Sequence, residues 1–293
     1  MKANSVIAGM LFGVGAYALF ALNDATYKYL AASLPVAQAL FFRSLTIAAG
    51  CLIFGRGPAV AAMVASPVLK RMLVRSAITL VAWLCYFNAA PLLPFAQMMT
   101  LYFASPILTT LLATRLLGER VSTVRWVSIF LGFSGVVVAA DPRGLLVGQT
   151  AAWAIGLVMT AAMLWAYAAI LMRQIARHES ALVQMLVQNG FSLVATAAWT
   201  AMVWVTPTPL ELFLLVFTGA IAASGQLVQF AAIRRAPVAV MAVVEYSGLV
   251  WAFLLGWVIF ADQPPVAVYF GAAIILAAGV FLVFTEHRAG RKG

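Results

Sequence analysis

Charge is what this chain lacks. Only 9% of its residues are Asp, Glu, Lys or Arg, where a soluble domain carries about 25%. With 65% hydrophobic residues and a mean hydropathy of +1.04, a soluble fold of this size has nowhere to hide its apolar surface, so the bilayer is its solvent. Cysteine is scarce as well. Cys51 and Cys85 both lie in apolar runs and read as small buried hydrophobes, which excludes a disulfide framework. The two histidines, His178 and His287, sit apart at segment ends, and no Cys/His cluster marks a metal site. There is no Walker A loop, so ATP hydrolysis is excluded, and no cofactor is expected. Carboxylates are scattered rather than clustered with bases, which argues against a membrane-embedded transferase, the chief reading from another class.

What is present is a series of apolar runs punctuated by turn signals. These fall at "SLP" (33–35), "GRGP" (55–58), "APLLP" (90–94), "GERVS" (118–122), "DPRG" (141–144), "RQIARHES" (173–180), "TPTP" (206–209), "RRAP" (234–237) and "DQPP" (262–265). They divide the chain into ten segments, near 5–32, 36–54, 72–90, 95–116, 123–140, 149–172, 181–205, 210–233, 238–260 and 266–284. Each is long enough for a hydrocarbon core of about 30 Å. The N-terminus resembles a signal peptide in having Lys2 before an apolar run. That run continues to Ala32, long enough to span, and reads as a mature helix. The apolar piece 59–65 is too short to span and reads as a surface stretch or the start of the third helix.

The basic residues sort by side. With the N-terminus inside and the spans alternating, fifteen Lys and Arg fall on the inner face, and only Lys28 and Arg143 on the outer one. Arg43 remains within a helix. This positive-inside bias accounts for the net charge of +10 without nucleic acid. It places both termini in the cytoplasm and the protein in a bacterial inner membrane. Pro106 is expected to kink the fourth span.

The chain is internally duplicated. A shift of 143 carries Pro94 onto Pro237, Met98 onto Met241, Glu119 onto Asp262 and Trp126 onto Tyr269. Near the start of each half a shift of 145 carries Phe20 onto Trp165 and Lys28 onto Arg173. Each half, 1–144 and 145–293, holds five spans. Five is odd, so the second half is inverted, a plan frequent among secondary transporters. The expected fold class is an all-α integral membrane protein, ten transmembrane helices as two inverted five-helix repeats.

Two halves that read "P…LL…LLGERVS…W…G" (106–135) and "L…LL…IFADQPP…Y…G" (249–279) resemble the EamA type of the drug/metabolite transporter superfamily. The second copy has "AD" where the first has "GE". The resemblance covers essentially the whole chain and, more narrowly, is to aromatic amino acid exporters of that superfamily. It implies efflux of small metabolites by alternating access through a central cavity formed by both halves. The partners expected are a small-molecule substrate and membrane lipid, the protein being a monomer or homodimer. Other amino acids or cationic drugs are alternative cargoes.

Charged and polar side chains inside the membrane are costly and mark candidate sites. Asn23, Asp24 and Lys28 lie on the first span. Asp24 and Lys28, four apart, read either as an intrahelical ion pair or as part of a polar cavity wall. Arg43 on the second span has Asp24 as its nearest candidate partner in depth, or a substrate carboxylate. Tyr86 and Asn88 on the third and Tyr102 on the fourth complete an outer layer suited to a zwitterion with an apolar ring. An inner layer is expected from Trp165 on the sixth, Gln226 and Gln229 on the eighth, and Glu245 and Tyr246 on the ninth. Glu245 is a possible proton carrier or a hydrogen-bonded structural group, with Arg234 or Arg235 within reach.

Overall fold

In lipid every backbone polar group must be satisfied within the chain, and apolar runs of this length can do so only as helices. A computed structural model describes residues 3–116, 123–141, 151–175, 178–233, 235 and 244–289. Among these residues lie eleven helices: α1 Ala3–Leu30, α2 Val36–Ala65, α3 Leu69–Ala89, α4 Phe95–Tyr102, α5 Ala104–Leu116, α6 Thr123–Ala139, α7 Ala152–Ile175, α8 Ala181–Met202, α9 Pro209–Ile233, α10 Ser247–Phe260 and α11 Val266–Ala289. Six carry stretches long and apolar enough to cross a membrane; α10 and parts of α6 and α11 are shorter apolar helices.

The fourth span is two helices. Pro106 has no N–H to offer the Tyr102 carbonyl, and the helix breaks there, at Phe103 (φ −66°, ψ 0°). The expected kink is thus a full break between α4 and α5.

The second span departs from expectation. The "GRGP" signal does not turn the chain. α2 runs straight through Pro58 to Ala65, and the turn follows at Ser66–Val68. Pro58 costs one backbone bond, which packing offsets. Ala59, Val60 and Met63 lie against Leu182, Met185 and Leu186 of α8. Gly55 is what permits this: a Cβ there would stand 2.7 Å from Leu182 Cδ2.

The packing repeats itself when the halves are exchanged. α1 packs along α9 and, correspondingly, α3 along α7; α2 packs on α8 and α6 on α11. Each of the last two pairs joins equivalent helices of the two repeats. α6 and α11 meet backbone to backbone: a Cβ on Gly271 would fall 2.5 Å from the Gly135 carbonyl oxygen. Their outer faces, including Phe130, Phe133, Val266 and Phe270, remain exposed, as suits peripheral helices facing lipid.

At one end the two halves are tied by polar contacts. Lys28 Nζ donates to Asp262 Oδ2 at 3.0 Å and to the Leu93 carbonyl at 2.8 Å. The same Asp262 oxygen accepts from the Phe95 N–H at 2.7 Å, at the N-terminus of α4. Ala261, in the left-handed region (φ 49°), turns the chain to bring Asp262 there. Gln38 and Val205 exchange two bonds, of 2.8 and 3.1 Å. Thr208 and Glu211 form a reciprocal capping box at the start of α9, and Ser33 donates to Glu211.

Candidate substrate site

α1 carries the charges inward. Asp24 Oδ1 accepts from Asn23 Nδ2 at 3.0 Å, and Arg43 and the Tyr86 hydroxyl are its other polar neighbours. Arg43, only 7% exposed, lays its guanidinium over the Trp83 ring, 4.5 Å from the centroid, a cation–π arrangement. Lys28 takes no part. Rather than pairing with Asp24 it runs along its apolar stem to the membrane end and meets Asp262. The expected intrahelical pair is therefore replaced by one between repeats.

Around these charges stands a cluster of rings. Trp165 meets Trp83 at 4.9 Å, Tyr86 at 5.1 Å and Tyr102 at 5.2 Å, each edge-to-face. Behind them Trp83 stacks on Phe87 at 5.0 Å, and Phe87 on Tyr27 at 4.0 Å. Trp165, expected in an inner layer, lies instead with Tyr86 and Tyr102. It stands near the middle of α7, and α7 packs along α3, so its ring reaches the middle of the helix bundle.

The second group is continuous with the first through Tyr102, which neighbours both Asp24 and Glu245. Glu245 also lies within electrostatic range of Tyr17 and Tyr246. Tyr246 stacks on Phe103 at 5.3 Å. The shift of 143 that relates the repeats carries Phe103 onto Tyr246 and Tyr102 onto Glu245. Equivalent residues touch only near the axis relating their repeats, so Phe103, at the break of the fourth span, and Tyr246, at the turn before α10, meet at the molecular centre. Gln229 Nε2 stands 3.5 Å from the Tyr17 hydroxyl. Gln226, one turn earlier on α9, is half-buried. The two expected layers are thus one polar–aromatic seam.

Asn88 is not part of it. It lies 200° around α3 from Tyr86, is exposed, and donates to the Leu84 carbonyl at 2.7 Å. It lines a small cleft with Pro35, Trp199 and Val203. Nor does Arg235 reach Glu245: its Nη1 donates to the Ala231 carbonyl at 2.8 Å and its guanidinium covers Phe12. Arg234 lies outside the described residues.

Sequence reading missed two members of the seam and the partner of Lys28. Tyr17 is seven residues before Asp24 and so shares its helix face. Trp83 is three before Tyr86 on the same face of α3. Asp262 was visible as the counterpart of Glu119, though its attachment to Lys28 was not.

The seam holds several polar atoms that are buried without a partner among the described residues. They include Arg43 Nε, Trp83 Nε1, Asn23 Oδ1 and Ser247 Oγ. Buried polar groups are nearly always satisfied, and these exceptions gather along the seam. The EamA-like transporter family model matches residues 7–140 and again 152–285.

The chain belongs to the EamA-like transporter family.

Among relatives of this EamA-like transporter, a riboflavin transporter of Rhizobium johnstonii is 30% identical, covering 75% of this chain and 70% of that one. An S-adenosylmethionine uptake transporter of Rickettsia bellii is 25% identical over 92% of this chain and 91% of its own. The pseudopaline exporter CntI of Pseudomonas aeruginosa is 27% identical over 95% and 97%. A solved crystal structure superposes with a TM-score of 0.65 at 18% identity, covering 99% of both chains, and shares the fold. The protein is a multi-pass membrane transporter of small metabolites and not an enzyme. The relatives bear names for varied cargoes, so the narrower likeness to aromatic amino acid exporters does not follow from them.

Proposed function

We propose that this EamA-like transporter exports amphipathic metabolites with a planar ring, aromatic amino acids foremost, across a bacterial inner membrane with both termini cytoplasmic. The observation that carries this reading is the set of rings from Trp83, Tyr86, Tyr102 and Trp165 standing beside Asp24 and Arg43. An aromatic wall of this kind packs favourably against a planar cargo. The unpartnered donors Arg43 Nε and Trp83 Nε1 suit a carboxylate, and the unpartnered acceptor Asn23 Oδ1, beside Asp24, suits an ammonium. That is the pattern of a zwitterion. Access alternates by rocking of the inverted repeats about the seam.

The test is counterflow in proteoliposomes holding only this protein. Vesicles loaded with unlabelled phenylalanine or tryptophan should accumulate the labelled form well above empty vesicles, while alanine and glutamate should not. Accumulation at the empty-vesicle level for every aromatic amino acid defeats this reading of the cargo.

A further inference from the structure

At one end of the bundle a single carboxylate joins three elements from both repeats. Lys28 lies in the last turn of α1, Phe95 opens α4, and Asp262 follows α10. Asp262 Oδ2 accepts from Lys28 Nζ at 3.0 Å and from the Phe95 N–H at 2.7 Å. Lys28 Nζ donates also to the Leu93 carbonyl, at 2.8 Å. Two rings lie beside the ion pair. Lys28 Nζ stands 4.8 Å from the centre of the Phe260 ring, and Phe260 meets the buried Phe95 ring at 6.2 Å.

What this contact does for α4 sets it apart from an ordinary brace. The free N–H groups that open a helix are usually met by a side chain just before it. Pro94, which holds that position, offers none. The acceptor comes instead from the other repeat, 167 residues away. A carboxylate suits the positive end of a helix, and Lys28 balances its charge. Asp262 is aimed there by its backbone. Its own N–H donates to the Gly256 carbonyl at 3.0 Å, and Ala261 before it sits in the left-handed region (φ 49°), where a residue with a Cβ is under strain. The cap of α4 therefore exists only while the two repeats meet at this end.

The contact also stands close to the seam. At 1.5 Å per residue, Lys28 is about 6 Å along α1 from Asp24, and Phe95 about 10 Å along α4 from Tyr102. The Lys28 and Asp262 side chains are 10% and 17% exposed, enclosed but at the edge of the bundle. Water that enters there can hydrate both charges and take over the Phe95 N–H, so parting the ends leaves no group unsatisfied. Ion pairs within reach of water are individually weak, which suits a contact that is made and broken in each cycle. We propose that Lys28, Asp262 and the N-terminus of α4 form a latch that shuts one end of the transport path and parts to let cargo through on that side. This rests on the seam being the place where access alternates, but not on which cargo sits in it. Weakening the latch shifts the population toward the state open at this end.

The test is thiol labelling of the full chain without cargo. Tyr102→Cys is placed in a background of Cys51→Ala and Cys85→Ala, and an impermeant maleimide is added to intact cells or to inside-out membrane vesicles. A separate cysteine in the 206–209 turn, held to the same end by Ser33 and Glu211, identifies the latch face whichever way the protein is inserted. Lys28→Met and Asp262→Ala should each raise the labelling rate at position 102 at least fivefold from the latch face and leave it no higher from the other. Asp262→Asn, which keeps an acceptor for the Phe95 N–H but not the ion pair, should raise it less than Asp262→Ala. Unchanged labelling in Lys28→Met and Asp262→Ala overturns the proposal even where melting falls, because the contact is then a static brace. A rise from both faces overturns it too, since that is loosening of the whole bundle. If Asp262→Ala fails to accumulate, Lys28→Met, which leaves α4 capped, decides alone. Failed counterflow of aromatic amino acids leaves the latch standing, and unchanged labelling leaves the reading of the cargo standing.

Discussion

At the scale of single residues, adjacent polar positions on one helix do different work. Tyr86 turns into the seam, while Asn88, two residues on, faces outward and closes a hydrogen bond on its own helix. Trp165→Leu removes the ring that meets Trp83, Tyr86 and Tyr102. It should reduce transport of a ring-bearing cargo at least tenfold while the protein remains folded. Asn88→Ala should leave transport within about twofold, since an exposed side chain bonded to its own backbone contributes little. Initial uptake rates normalised to folded protein by gel filtration check both, and an equal loss in the two variants would refute the assignment.

These differences show what could be read beforehand. The polar face of α1 was legible because Asn23, Asp24 and Lys28 stand out in an apolar run. The 200° between Tyr86 and Asn88 was also legible in principle, from helix periodicity alone. The partner of Lys28 was not, because it lies 234 residues away and nothing local distinguishes it from Asp24. The aromatic cluster was half legible: its members appear in the sequence, but the depth of Trp165 depends on how α7 packs against α3.

Among elements, the break of the fourth span followed from Pro106, whereas the passage of α2 through Pro58 did not, since packing against α8 outweighs one lost bond. The closest helix pair supplies a test. Gly271→Val places a branched side chain where the Gly135 carbonyl and Ala139 stand. Overpacking of this kind costs about 1–3 kcal/mol. Melting in detergent should fall accordingly, with the affinity of the central site unchanged. A melting temperature equal to wild type would show that α6 and α11 part freely. Asp262→Ala removes both the partner of Lys28 and the acceptor for the buried Phe95 N–H. Leaving such groups unpaired costs about 1–3 kcal/mol, and the same melting experiment should register the loss.

For the whole molecule, the inverted duplication and the distribution of basic residues lead to one arrangement of sides. Single cysteines placed in the 206–209 and 262–265 turns should react with a membrane-impermeant thiol reagent added to intact cells. Cysteines at His178 and near the C-terminus should react only after permeabilisation. Labelling in the reverse sense would invert the orientation and, with it, the direction assigned to export. The double match of the family model agrees with the packing of equivalent helices on each other. The number of spans was legible from turn signals and charge, but the merging of two polar layers at the centre was not. It arises only because the break of the fourth span and the turn before α10 converge on Phe103 and Tyr246.

The tie between Lys28 and Asp262 has a consequence for how the chain is made. Of the described helices α1 is made first, yet its neighbours α9 and α10 are among the last made. At ordinary translation speed the 234 residues between Lys28 and Asp262 take about 10–50 s to produce. Through that interval Lys28 waits in the bilayer without its final partner, and whatever shelters that charge then is not yet Asp262.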